Sequence, residues 1–91
     1  MEHLAARLAV GDQAAFAELY QACGDRLHHY LTVRLGSRQD ADDVLQETFV
    51  RLARNRGKLL SVDNLAAYVF TVARNESNRL AERRKHDGGR S

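Results

Sequence analysis

The chain has 91 residues, 44% of them hydrophobic and 29% charged, with no proline and no tryptophan. That is the size of one small domain, which buries about 60% of its unfolded surface, and it excludes an enzyme with separate cofactor and substrate domains. A single cysteine, Cys23, excludes an internal disulfide and a cysteine-rich zinc site.

Met1 to Val10 reads as a short helix with Leu4 and Leu8 on one side. Gly11-Asp12 breaks it, and Asp12 is a good N-cap for the next helix. That helix places Phe16, Leu19, Tyr20, Cys23, Leu27, Tyr30, Leu31 and Leu35 at steps of three and four, the spacing of one buried face. Gly24 interrupts the pattern at a cost of roughly 1 kcal/mol relative to Ala, and Gly36 ends it. Ser37 and Asp40 have the form of a capping box, with Asp in place of the usual Glu or Gln. The third helix runs to about Asn55 with Ala41, Val44, Leu45, Thr48, Phe49 and Leu52 inward. Arg56 to Asn64 is a connector in which Ser61, Asp63 and Asn64 are each candidate caps for the last helix. The last helix turns Leu65, Tyr68, Val69, Val72, Ala73 and Leu80 inward. No run alternates with period two. The expected fold is all-α, a small helical bundle of three main helices plus a short N-terminal helix. Residues 1–86 form the domain, and residues 87–91 are a tail or the start of a linker.

The net charge of +2 hides a division. Residues 1–50 carry four basic and eight acidic groups, a net of −4; residues 51–91 carry ten and four, a net of +6. Two halves of opposite sign suit two different partners, one basic and one polyanionic. The alternative is a pair of unevenly charged solvated faces.

Two constellations sharpen the division. On the third helix, Asp43, Gln46, Glu47 and Val50 recur at three, four and seven residues, away from the apolar face. Such a stripe receives arginines from a partner helix, unless its acids only stabilise the helix dipole. On the last helix, Arg74, Asn75, Asn78 and Arg79 are followed by Arg83, Arg84 and Lys85. Cations neutralise phosphates, and Asn hydrogen-bonds phosphates or base edges; dipole complementarity is the plainer reading of the terminal bases. Tyr68 and Phe70 precede these residues, Tyr68 as a core residue before a stacking one. A metal-dependent hydrolase on Asp42, Asp43, Glu47 and a distant His is a second class. It lacks a Glu-x-x-His motif, and the adjacent His28 and His29 point in different directions, as surface residues do. A helical adaptor that binds only protein is a third. No catalytic residue, metal-ligand set or cofactor motif emerges.

The stretch from Asp40 to Leu52, DADDVLQETFVRL, resembles region 2.2 of bacterial RNA polymerase sigma factors, closest to the extracytoplasmic-function (ECF) group of the sigma-70 superfamily. Gly11 to Tyr20 is similar to region 2.1, and Leu65 to Asn75 to the stretch leading into regions 2.3 and 2.4. The resemblance covers roughly residues 4–85. It implies a cytoplasmic transcription initiation module that is not an enzyme and has no membrane partner. Asp43, Gln46 and Glu47 match the positions that dock on a coiled coil in the largest subunit of core RNA polymerase. The basic last helix and the loop before it, including Lys58 and Asn64, match the reader of the minus-ten promoter element. That reader holds the single-stranded non-template strand with one base flipped out. An anti-sigma factor is an implied further partner. The sequence departs from the family pattern in having Tyr68 for a frequent Trp and Thr71 for a frequent base, and Glu76 places a negative charge beside the expected DNA face. The resemblance implies that full ECF factors carry a second domain, region 4, and that residues 87–91 fall where the linker to it should begin.

Overall fold

Two glycines and a set of polar caps divide the chain into its helices. The computed structural model describes the backbone of residues 2–88 and the side chains of residues 4–85. Helix α1 spans Glu2–Ala9, α2 Gln13–Leu35, α3 Arg38–Arg54 and α4 Leu65–Gly88, with a 3-10 turn at Arg56–Leu60. No described residue is in a strand. The fold is therefore the all-α bundle expected, three main helices and a short first one. Helix α4 runs two residues into the expected tail, and residues 89–91 lie outside the described residues.

The boundaries have local causes. Gly11 and Gly36 take positive φ, 83° and 71°, the left-handed region that favours glycine. The Gly36 N–H donates to the Thr32 carbonyl at 2.8 Å and closes α2. The Asp12 carboxylate accepts from the Ala14 N–H at 2.9 Å, and Ser37 Oγ accepts from the Asp40 N–H at 3.2 Å. Of the three candidate caps before α4, Asn64 takes the position: its Oδ1 accepts from the Ala67 N–H at 3.0 Å. Ser61 instead donates to the Lys58 carbonyl and finishes the 3-10 turn.

The pairing of side chains gives the helix directions. Tyr20 meets Phe49 and His28 meets Asp42, so α2 and α3 are antiparallel. Arg51 meets Glu76 and Asp40 meets Arg84, so α3 and α4 are antiparallel too. Tyr30 meets Phe70 and Arg34 meets Ser77, so α2 and α4 run parallel. Helix α1 packs on the 3-10 turn and on α2, and Arg7 ties it to Asp12 at 2.9 Å and Glu18 at 2.6 Å.

Leu8, Leu27, Leu31, Leu52, Leu59 and Val69 are fully buried, with Leu19, Cys23, Ala41, Val44, Leu45 and Ala73 completing the core. Each such leucine contributes about 1.5–3 kcal/mol. Four side chains depart from the sequence pattern. Tyr20 is 50% exposed rather than inward. Its ring lies over Gly24, where an added Cβ would come within 3.3 Å and the ring would have to give by a few tenths of an ångström. Leu59, inside the expected connector, is fully buried because the 3-10 turn folds it under α1. Glu76, expected beside the DNA face, is 6% exposed and points at α3. His28, expected at the surface, is half-buried and lies 2.7 Å from Asp42.

Candidate functional site

A helix that buries one face must present the other, and α3 does so with its acidic stripe. Ala41, Val44, Leu45, Thr48 and Leu52 are buried, and Thr48 satisfies its hydroxyl on the Val44 carbonyl at 2.8 Å. Asp43, Gln46, Glu47 and Val50 are all exposed. Exposed Val50 gives the stripe an apolar end, and the half-buried Phe49 next to it in sequence packs on the Tyr20 ring, ring centres 5.3 Å apart.

Helix α4 carries the cations. Arg74, Asn75, Asn78, Arg79, Arg83, Arg84 and Lys85 are exposed, as are Lys58 on the 3-10 turn and Asn64 at the helix start. They do not form one uniform face. Arg84 donates two hydrogen bonds to the Asp40 carboxylate, one at 2.6 Å, and this pairing raises its pKa further above the usual value. The reciprocal half of the expected capping box is thus replaced by an ion pair between α3 and α4. Arg79 lies 3.5 Å from Glu76, whose carboxylate also meets Arg51 at 2.8 Å. That second contact is an ion pair without hydrogen-bond alignment. Asn78 accepts from Arg34, which reaches over from α2.

The acidic and basic residues meet. Asp43, Glu47, Arg51, Glu76, Arg79 and Arg83 line one polar groove of about 330 Å³ between α3 and α4. The two halves of the charge division therefore share an edge. A second hollow, about 410 Å³, opens where the loop enters α4. Leu60, Val62, Asp63, Asn64, Leu65 and Ala66 line it, with Ala5 of α1. A third, about 150 Å³, lies between Tyr30, Phe70, Thr71 and Arg74. Tyr30 and Phe70 meet edge to face there, centres 5.7 Å apart.

Sequence reasoning missed Arg34 and Tyr30 as parts of this surface. Their i, i+4 spacing at the end of α2 was the available signal. The other chemistry weighed does not assemble. Among the described residues, no three His, Cys, Asp or Glu side chains converge as a metal site would require. Cys23 is buried, donates to the Leu19 carbonyl at 3.1 Å, and is pushed up in pKa by burial, which makes it an inert thiol. No described helix is long and apolar enough to cross a membrane.

Fold and surface together define a small all-α domain with an acidic stripe on α3 and cations on α4. The family model for sigma-70 region 2 matches residues 19–87, and the chain belongs to that family. It is 33% identical over 76 residues to the ECF RNA polymerase sigma factor BldN of Streptomyces coelicolor, an alignment covering 82% of this chain. The same alignment covers 29% of that protein's length. No solved structure matches. The match places the chain in the sigma-70 region 2 family, and the relative it resembles is an ECF RNA polymerase sigma factor.

Proposed function

We propose that this chain works in bacterial transcription initiation by joining core RNA polymerase to an opened promoter strand. The observation that carries the reading is the α3 stripe: four exposed residues, Asp43, Gln46, Glu47 and Val50, on the helix whose opposite face is the core. Such a helix docks against another helix, its carboxylates taking arginines and Val50 taking an apolar contact. The partner surface is the coiled coil of the polymerase's largest subunit.

The DNA half rests on α4 and the loop before it. Arg74, Arg79, Arg83 and Lys85 supply phosphate contacts, and Arg84 supplies what its pairing with Asp40 leaves. Asn75 and Asn78 supply uncharged contacts to the minus-ten non-template strand. The hollow beside Asn64 falls within the roughly 300–1,000 Å³ of typical ligand pockets and suits an extruded base. Lys58 stands on the adjoining turn. Unstacking a base costs about a few kcal/mol, offset by the pocket and by the strand backbone on α4. Action is cytoplasmic, and an anti-sigma factor that covers these surfaces would silence it.

The test pairs retention of core RNA polymerase on the immobilised chain with fluorescence titration of single-stranded minus-ten oligonucleotides. Wild type should retain core and Glu47→Lys should not. Asn75→Ala should blur preference for the matched strand without changing the salt slope. Arg83→Ala should reduce the slope by about 0.7 log units per log salt. Retention of core by Glu47→Lys, or indifference to strand sequence in wild type, would remove the corresponding half. Core binding with no DNA binding at all would leave a protein-only adaptor.

A further inference from the structure

A guanidinium has five N–H donors and no acceptor, so any atom it holds must accept. Arg34, in the last turn of α2, donates from Nε to Ser77 Oγ at 2.8 Å and from Nη2 to Asn78 Oδ1 at 2.7 Å. Its guanidinium carbon stands 5.9 Å from the centre of the Tyr30 ring, within cation–π range. Ser77 is 1% exposed, and its hydroxyl donates to the Arg74 carbonyl at 2.7 Å. The Ser77 proton is thereby committed, and its oxygen is left to accept from Arg34. Every hydrogen bond in this network therefore points one way. Asn78 turns its oxygen toward α2 and is left with its NH₂ group for solvent or a ligand.

We infer that Arg34 is a positioning residue of the nucleic-acid face and turns the Asn78 amide so that its NH₂ group faces outward. The inference rests on the DNA-binding reading above. So held, Asn78 meets an acceptor on the strand, a phosphate oxygen or an acceptor atom of a base. The two-point contact by which Asn reads adenine also needs the side-chain oxygen, and that oxygen is turned toward Arg34 on α2. Helix α2 thus sets the hydrogen-bonding polarity of a position on α4.

Two measurements test this. The first needs no DNA. In Arg34→Met, which keeps the stem and removes the donors, the Asn78 side-chain amide signals in a ¹⁵N–¹H spectrum should move toward their values in an unfolded chain. Unmoved signals would overturn the inference whatever the chain binds. The second is a double-mutant cycle on single-stranded minus-ten DNA. Arg34→Met and Asn78→Ala should each weaken binding by about fivefold to tenfold, as for one lost hydrogen bond. The double variant should lose no more than either single one, with the salt slope unchanged. Losses that multiply, with a slope lower by about 0.7 in Arg34→Met, would make Arg34 a phosphate contact instead and overturn the positioning role. Asn78→Asp guards against a folding artefact, since it keeps an acceptor for Arg34 while removing the outward donor. It should keep its Tm and bind at least as weakly as Asn78→Ala. A matched and a scrambled strand distinguish a base acceptor from a phosphate. If Arg34→Met and Asn78→Ala bind normally while Arg83→Ala is weakened, the inference fails and the DNA reading stands. If Arg83→Ala also binds normally, both fail.

Discussion

Arg84 and Asp40 stand 44 residues apart and hold each other through two hydrogen bonds, guanidinium to carboxylate. Asp40 is 7% exposed, so its charge is matched from within the fold. A cation already paired releases few counterions when DNA binds. Arg84→Ala should therefore lower Tm while leaving the salt slope of single-strand binding close to wild type. Arg83→Ala should do the reverse, lowering the slope by about 0.7 with little change in Tm. Melting curves and titrations at four salt concentrations separate the two arginines. Equal slopes for both variants would place Arg84 on the strand.

The stripe and the core of α3 should respond oppositely to truncation. Leu45 is 3% exposed, and Leu45→Ala should cost roughly 2–5 kcal/mol. Gln46→Ala, on the exposed face, should stay within about 0.5 kcal/mol of wild type and lose core RNA polymerase. Urea denaturation gives the first quantity and polymerase retention the second. Loss of polymerase by Leu45→Ala at a temperature where it is still folded would blur the division between faces.

The helix boundaries were legible because glycine and capping chemistry are local. Gly36, Ser37 and Asp12 act within a few residues of where they stand. The apolar positions of α3 and α4 were legible for a similar reason, since periodicity reports on one helix at a time. What was hidden depends on contacts across the bundle. Glu76 is a charged residue near cations on its own helix, and only the approach of Arg51 from α3 turns it inward. Asp40 looked like half of a capping box until Arg84 claimed it. Leu59 sat in a stretch with loop composition, and burial under α1 is a tertiary event. The exposed stripe was read correctly because it is the complement of a periodic face. The mixing of acids and bases in one groove was not, because it needs the antiparallel register of α3 and α4.

Acid should loosen the α1–α2 joint. The Arg7 guanidinium, by hydrogen bonding, holds the Asp12 carboxyl below the usual carboxylate range. A group whose folded pKa is depressed contributes stability above its unfolded value, about 4. The contribution is lost as pH falls through the folded value. Asp12→Asn keeps an N-cap acceptor and removes the charge. Its Tm should lie below wild type at pH 7, and the two should converge as pH falls below 4. Parallel Tm–pH curves would show that Arg7 and Asp12 are not coupled in solution.

Glu76 offers the sharpest trade between stability and binding. Its carboxylate is nearly buried and contacts Arg51 and Arg79, which are 34% and 57% exposed as side chains. Glu76→Gln preserves size and removes the charge. The loss should be about 1–2 kcal/mol, below the 3–5 expected for a fully buried pair, because both arginines keep access to water. The same change leaves Arg79 without its neutralising neighbour. If Arg79 faces the strand, it then meets phosphate with its full charge. Single-strand affinity should rise and the salt slope should steepen, while Glu76→Gln combined with Arg79→Ala should return to the slope of Arg79→Ala alone. The sign of the effect is diagnostic. A solvent-facing Glu76 would also repel DNA, but its removal would leave the melting temperature unchanged. A stabilised fold, or weaker binding despite the lost negative charge, would mean that Glu76 orients Arg79 for the strand rather than restraining it.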